Sequence, residues 1–252
     1  MLVGASLILG QWWLDNRRAD VDRQLEDRRT AAAERLEDAR AATAERLENL
    51  RFVRERSSPQ VQPRPFNGID LRQMDLSGLQ LSGADLGSAN LNGARLSSVI
   101  LTGADLTAAD LGNARASSAD LSGANFFVAD LEGSDLSYAN LTGANLTSVQ
   151  MAGVNLDNAD LVDANLSGVR LTKSKLTSTN FTDAYLRDAD LAGADLELAI
   201  LTGADLQSAN LDGALHLQDV EMNGICYNSL TRWPEGFAPP KSDPACELFE
   251  PS

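Results

Sequence analysis

Leu71, Leu76, Leu81, Leu86, Leu91 and Leu96 open a beat of one apolar residue in every five that runs without an insertion to Leu211. The 29 units so defined depart from leucine at their centre only at Ala116, Phe126, Met151 and Phe181. Two positions before the centre a small residue is usual, as at Ala84, Ala89, Ala94 and Ala104. Between the two an Asp or Asn is usual, as in Ala84-Asp85-Leu86 and Ala89-Asn90-Leu91. No regular element repeats its face at this interval, since a helix does so every 3.6 residues and a strand every 2. A side chain that faces inward at every fifth position needs a chain that turns a corner in every unit. Short fixed periods of this kind mark solenoids, in which each unit buries its apolar side only against its neighbours.

The residue types suit a narrow interior, where large and small side chains must alternate to fill space at crystal-like density. Asp and Asn bond nearby backbone groups at corners. Trailing Ser, Thr and Gly, as in Ser82-Gly83 and Thr102-Gly103, suit turns that need a positive φ. The motif A-[DN]-L-x-x, held in register over residues 66–214, resembles that of the bacterial pentapeptide-repeat family. The resemblance implies an all-β solenoid, a right-handed quadrilateral β-helix in which four units make one coil. The centre residue and the small residue before it then point inward. On that geometry Leu71, Leu91, Leu111, Leu131, Met151, Leu171, Leu191 and Leu211 form one structural centre column. Ala116 and Phe126 share a coil, where the one offsets the volume of the other. Seven coils at strand spacing, ~4.8 Å each, make a rod about 35 Å long.

The chain divides into residues 1–14, 15–56, 57–65, 66–216 and 217–252. Residues 1–14 carry no charged side chain and end in Trp12 and Trp13, ahead of Arg17 and Arg18. Trp at an interface and Arg beyond it favour a membrane anchor with the following chain on the cytoplasmic side. Fourteen residues make about 21 Å of helix, short of the ~20 residues that span a bilayer. A short transmembrane helix is therefore expected, with a cleaved signal and a peripheral apolar end as alternatives. Residues 15–56 hold 11 acidic and 11 basic residues and no Gly or Pro, which predicts a long α-helical stalk. Leu25, Leu36 and Leu47 stand at equal spacings of three helical turns, the period of a nearly straight helix or a slightly right-handed supercoil. Oligomerisation through a coiled coil and a lone charged stalk are both open. Three prolines in residues 57–65 predict a linker. Ile69, Met74 and Leu79, large for the small position, are expected to close the first coil.

The register fails at His216 and Asp219. The stretch from Cys226 to Phe237 resembles the Y-x-x-x-T-x-W-P-x-G-F tail that follows many bacterial pentapeptide arrays, which implies a lid over the last coil's exposed edges. An aromatic partner-binding patch is the alternative. Cys226 and Cys246 can pair, although thiols on the cytoplasmic side stay reduced. With one His and no Walker loop, G-x-G-x-x-G or H-E-x-x-H, the sequence predicts no catalytic residue, no metal site and no cofactor. The many Asp residues follow from turn chemistry rather than from acid–base catalysis.

Residues 66–217 hold 19 acidic against 7 basic residues, a formal net charge of −12. Such a surface does not bind nucleic-acid phosphates, which call for Lys and Arg, but it attracts basic partners. The expectation is a membrane-tethered, non-enzymatic interaction module for a protein partner that the sequence does not name. The alternative is an acidic mimic of DNA that binds a type II topoisomerase or another DNA-binding protein, as some members of the resembled family do. The Asp/Asn position is broken by Arg95 and Arg115, by Arg170 and Lys175, and by Ile100 and Ile200. Arg95, Arg115, Ile100 and Ile200 are the expected interaction surface, with relief of acidic self-repulsion as the alternative role for the cations.

Overall fold

The structure, a computed structural model, describes residues 2–58, 64–244 and 246; within the N-terminal helix, side chains are described at Arg17 and from Arg23 onward. One helix, α1 (Leu2–Glu55), precedes the repeats among the described residues, and a 3-10 turn (Leu217–Asp219) follows them. The chain forms two compact units, Met1–Leu47 and Glu48–Ser252.

The second unit is a stack of four-sided coils. Each rung residue pairs in parallel with the residue 20 positions on, from Pro65 with Asp85 to Asp195 with Leu215. Four five-residue units therefore complete one coil. The unit Ala139-Asn140-Leu141-Thr142-Gly143 shows why this repeat is stable. The Ala139 N–H donates to Leu136 O at 3.0 Å and closes a four-residue turn. Asn140 N–H donates to the previous coil at Ala119 O (2.9 Å), while Leu141 and Gly143 N–H donate to the next coil at Asp160 O (2.7 Å) and Val162 O (2.8 Å). One amide remains, and Thr142 N–H donates it to Asn140 Oδ1 at 3.1 Å. All five backbone donors are thus satisfied, as a closely packed backbone requires. The same side-chain bond recurs at each of the 20 Asp and Asn rungs between Asp70 and Asn210. Asp and Asn were expected at the corner itself. They stand instead on the ladder and reach forward into the corner.

The turn residue two places after each centre has a positive φ, the sign pattern of a type II turn. Gly143 adopts it at a φ of 65°, without steric cost. Val128 adopts it at a φ of 53°, a conformation that β-branched residues rarely take. The ladder imposes the turn on whatever residue occurs there.

The centre and small positions line the interior. Leu141, Met151, Phe126 and Phe181 are completely buried, and Ala116 nearly so. Three hydroxyls occupy the small position inside this core, and each finds a carbonyl: Ser134 donates to Leu131 O, Ser174 to Leu171 O and Thr179 to Leu156 O. Burial of a polar group is tolerated when its bond is made.

Both ends of the stack are covered. The final turns of α1, from Glu48 onward, belong to the repeat unit rather than to a free stalk. Leu50 and Val53 are buried there, Phe52 meets Phe66 edge-to-face at 5.7 Å, and Ile69, Met74 and Leu79 pack beside them. Asn49 Nδ2 donates to Asp70 O at 3.0 Å and Arg54 to Asp75 O at 2.9 Å, so the helix also fills acceptors of the first coil. Arg64, in the segment expected as a linker, is buried and donates to the carbonyls of Arg56, Ser58 and Ser82.

At the other end the ladder outlasts the break in register, a correction to the boundary placed at 216. Ile200 pairs with Glu221, Asp205 with Cys226 and Asn210 with Arg232. The last coil bulges by one or two residues and remains in the stack. Tyr227, Trp233 and Phe237 form an aromatic chain, with centroids 5.4 and 5.5 Å apart, that packs on the core as a lid. Thr231 reaches through it to Leu206 O at 2.9 Å. Cys226 and Cys246 are joined in a disulfide with Cα atoms 5.5 Å apart. His216 begins the 3-10 turn in the left-handed region, and its Nδ1 stands 2.7 Å from Asp195 Oδ1.

Residues of the expected anchor lie in α1 from Leu2 onward, but Met1 and the side chains through Asn16 are outside the described residues. Among the described residues no helix is long and apolar enough to cross a membrane. The membrane-spanning reading of residues 1–14 is therefore not supported. In the stalk, Leu25, Leu36 and Leu47 are exposed at 46%, 52% and 55%, so this seam has no cover within the chain.

Two outcomes are expected. Leu141→Asp places an unpaired carboxylate in the dry column and lowers stability by several kcal/mol. Ser117→Asp, on the outer side beside Arg115, changes it by less than about 1 kcal/mol. Equal melting temperatures for the two variants would show the register to be misassigned. The hydrogen bond to Asp195, helped by nearby acidic charge and opposed by slight burial, raises the His216 pKa above its ordinary value. The charged pair therefore stabilises the last coil fully below about pH 6.5, the unfolded value, and the contribution disappears as pH rises through the folded pKa. An NMR titration should find a His216 pKa above about 6.5 that returns to it in Asp195→Asn; an unchanged pKa in the variant would disprove the pair.

Candidate interaction surface

The ladder assigns every outward side chain to a column. Faces are numbered by their buried centres: face 1 through Leu71, face 2 through Leu76, face 3 through Leu81 and face 4 through Leu86. The eight residues of the structural centre column, Leu71, Leu91, Leu111, Leu131, Met151, Leu171, Leu191 and Leu211, line face 1 from within, and none is more than 2% exposed.

Face 2 carries the rungs Asp75, Arg95, Arg115, Asp135, Asn155, Lys175 and Asp195 in spatial order. Arg95 and Arg115 are thus immediate neighbours, and both are exposed. Arg95 forms an ion pair with Asp75, and that hydrogen bond holds the Asp75 carboxyl well below the usual carboxylate range. Arg115 makes no ion pair among the described residues, although Asp135 is its next rung.

Face 3 carries Gln80, Ile100, Asp120, Asn140, Asp160, Asn180 and Ile200. Ile100 and Ile200 share this column and are partly exposed, five coils apart. Asn140 donates to Asp120 Oδ1 at 3.3 Å and Asn180 to Asp160 Oδ1 at 3.2 Å, so amide and carboxylate alternate along the rungs. Burial pushes the Asp120 carboxyl up, but the hydroxyls of Ser122 and Thr102 and the Ser122 amide outweigh it and hold its pKa below the ordinary value. Asp163 and Asp183 add charge to this face, and its outward positions in residues 79–203 contain no Lys or Arg.

The four expected surface residues have a common backbone consequence. Arg and Ile side chains have no acceptor. Among the described residues, the amides of Ser97, Thr102, Ser117 and Thr202 accordingly lack the bond that Asp or Asn supplies elsewhere. Apart from that, the structure does not bring Arg95 and Arg115 together with Ile100 and Ile200 into one cluster; they stand on two faces.

A cleft on face 4 was not anticipated. Its floor is three successive rungs, Tyr185, Asp205 and Cys226. Asp183 and Gly203 flank one side, Arg187 and Gln207 the other, and Cys246 closes the end of a space of about 490 Å³. Arg187 is ion-paired with Asp205. The signal was present in Tyr185, which stands where a rung normally carries Asp or Asn and is left 53% exposed. Gln207 carried no such signal, because nothing in the repeat pattern marks its position. Among the described residues no group of His, Cys, Asp and Glu could hold a metal ion.

A sequence profile of the family described as Pentapeptide repeats matches residues 66–103, 89–126, 100–137, 124–161, 139–178 and 179–215. No curated protein sequence matches significantly. Among solved structures, the chain is similar to HetL from the cyanobacterium Nostoc sp. strain PCC 7120, a pentapeptide repeat protein involved in heterocyst differentiation regulation. The identity is 32% over 71% of this chain and 80% of that one, with a TM-score of 0.62. Rfr23 from the cyanobacterium Cyanothece 51142 is 37% identical over 39% of this chain and 63% of that one, with a TM-score of 0.26. QnrB1, a plasmid-mediated fluoroquinolone resistance protein, is 21% identical over 67% of this chain and 86% of that one, with a TM-score of 0.40. The profile spans the whole five-residue register and HetL shares both its sequence and its stacking: the chain belongs to the pentapeptide-repeat family.

Proposed function

We propose that this protein is a non-catalytic binding module whose acidic stack recognises a basic protein partner. The observation that carries this is the distribution of charge. Residues 66–217 have 19 acidic and 7 basic side chains, and three of the latter, Arg72, Arg95 and Arg187, are already tied to carboxylates. Face 3 offers carboxylates with no cation among them. The regulatory role stated for HetL agrees with action through protein contacts.

A DNA-mimicking inhibitor of a topoisomerase is the second reading, and the same acidic stack favours it. Magnitude counts against it. Duplex DNA carries one charge per ~1.7 Å of its axis. The stack's net −12, spread over a rod of about 35 Å, is roughly one charge per 3 Å.

The apolar residues 1–14, with Trp12, Trp13, Arg17 and Arg18, support attachment of the N-terminus at a membrane interface. The paired Cys226 and Cys246 support an oxidising compartment for the repeat domain, where the sequence alone favoured the cytoplasmic side. Exposed Leu25, Leu36 and Leu47 leave the stalk free to associate with another copy.

Affinity capture with the intact chain, followed by reconstitution with the purified partner, tests the main reading. The expected partner is basic, and its binding weakens at least tenfold as salt rises from about 0.05 to 0.5 M, where the screening length falls to a few ångströms. A salt-insensitive complex overturns the reading, and stoichiometric inhibition of gyrase supercoiling favours the mimic instead. For the N-terminus, the intact chain should sediment with anionic lipid vesicles and a chain lacking residues 1–14 should not. That deletion spares the capping turns from Glu48 onward, so loss of sedimentation would not reflect unfolding.

A further inference from the structure

The cleft on face 4 is lined by a largely buried residue whose polar end opens into it. Gln207 is only 8% exposed and lines the cleft. Its side-chain amide carries two donors and an acceptor, yet it makes no hydrogen bond among the described residues. Its neighbour Asp205 is engaged, accepting from Arg187 and from the Gln207 main-chain N–H at 3.1 Å. The stem is held by packing while the amide is left open to the cleft, so its donors and acceptor are available to a ligand there.

The surrounding groups indicate what ligand would fit. Arg187 is matched by Asp205, which takes up the one cation among the residues lining the cleft. The Asp183 carboxylate at the opposite rim has no ion-pair partner among the described residues. It lies over Gly203, where a Cβ would come within 2.0 Å of Asp183 Oδ1, so the absence of a side chain at Gly203 leaves room for that carboxylate. Between the two flanks the Tyr185 ring lies open. An aromatic face, a free carboxylate and an amide oxygen make a receptor for a planar cation. The volume, about 490 Å³, is within the usual range of ligand clefts.

We propose that this cleft receives the guanidinium of an arginine side chain from a basic protein partner. The guanidinium stacks on Tyr185, donates along one edge to Asp183 and along the other to the Gln207 amide oxygen. Arginine fits better than lysine because its planar fork can stack and donate in two directions at once, whereas an ammonium is a point charge. The inference rests on the reading of the chain as an acidic binding module, and it names the place where the partner is read.

The test is an NMR titration of the intact, labelled chain with acetyl-arginine amide, with the uncharged acetyl-citrulline amide as control. Arginine amide should shift residues 183–187 and 203–207, and citrulline amide should not. Asp183→Asn and Gln207→Leu should each weaken binding about tenfold, the expected loss of a hydrogen bond to a charged group, with melting temperatures unchanged. Equal shifts from the two amides, or unaltered binding by both variants, overturns the proposal. A chain lacking residues 247–252 that gains binding absent in the intact chain would assign the cleft to the protein's own tail and overturn it equally. An acetylated tetralysine amide separates this inference from the reading beneath it. If it binds along the acidic faces while arginine amide avoids the cleft, only the cleft assignment fails. If neither binds anywhere, the acidic-module reading fails as well.

Discussion

The stack is built on one local hydrogen bond, made at 20 of its 29 units, from the amide after the centre to the Asp or Asn rung side chain two residues before it. The coil-to-coil ladder and the turn between them serve four of the five backbone donors in a unit, and none of those bonds reaches the fifth. Asp and Asn supply it locally because their side chains are one carbon shorter than Glu and Gln and fold onto the backbone two residues on. The rest of the motif follows. The small residue before the rung lets the chain approach the core, the centre residue fills it, and the turn residue accepts a positive φ. The fold is thus less a property of any one repeat than of donors that can be satisfied only when the next coil is in place, which is the one-dimensional cooperativity of solenoids.

That dependence explains what could be read in the sequence. The 29 units in strict register determine the coil, the rung columns and the buried centres, because an error of one residue would turn Leu141 outward and Asn140 inward. Two kinds of feature were hidden. The caps use no period: Leu50, Phe52 and Val53 look like a continuation of the charged helix until the first coil is present to receive them, and Arg64 sits in a proline-rich stretch that reads as a linker. The final coil, from Glu221 to Arg232, keeps its pairing while its spacing stretches, so a search for period five ends too early. The face 4 cleft was hidden for a related reason. Tyr185 is visible as a broken rung, but Gln207 and Cys246 come to line one cleft through a tail that carries no five-residue motif.

Electrostatics is divided between construction and display. Most carboxylates are engaged by an amide, and some by a neighbouring cation, as at Asp75 with Arg95 and Asp195 with His216. Those bonds use the carboxylate geometry without removing its charge, so the field of the stack remains negative even where each Asp has a structural role. Asn at alternate rungs, as at Asn140 and Asn180, does the same structural work without charge and donates to the Asp before it. The proportion of Asp to Asn on a face can therefore change freely while the fold is kept, which lets the charge of each face be set separately from stability.

A lattice of identical rungs has no intrinsic site; recognition must come from departures from the repeat. The departures at Arg95, Ile100, Arg115 and Ile200 each expose a backbone donor and change the surface of a flat face, but the coil beneath them is unaltered. Val128, held at a positive φ beside exposed Phe127, shows how far the ladder can impose its geometry on an unsuitable residue. A more enclosed space arises where the repeat meets something that is not a repeat. The disulfide of the tail lines one end of the cleft that holds Tyr185 and Asp205. The end of the stack is the place where this fold can enclose a ligand rather than merely face one.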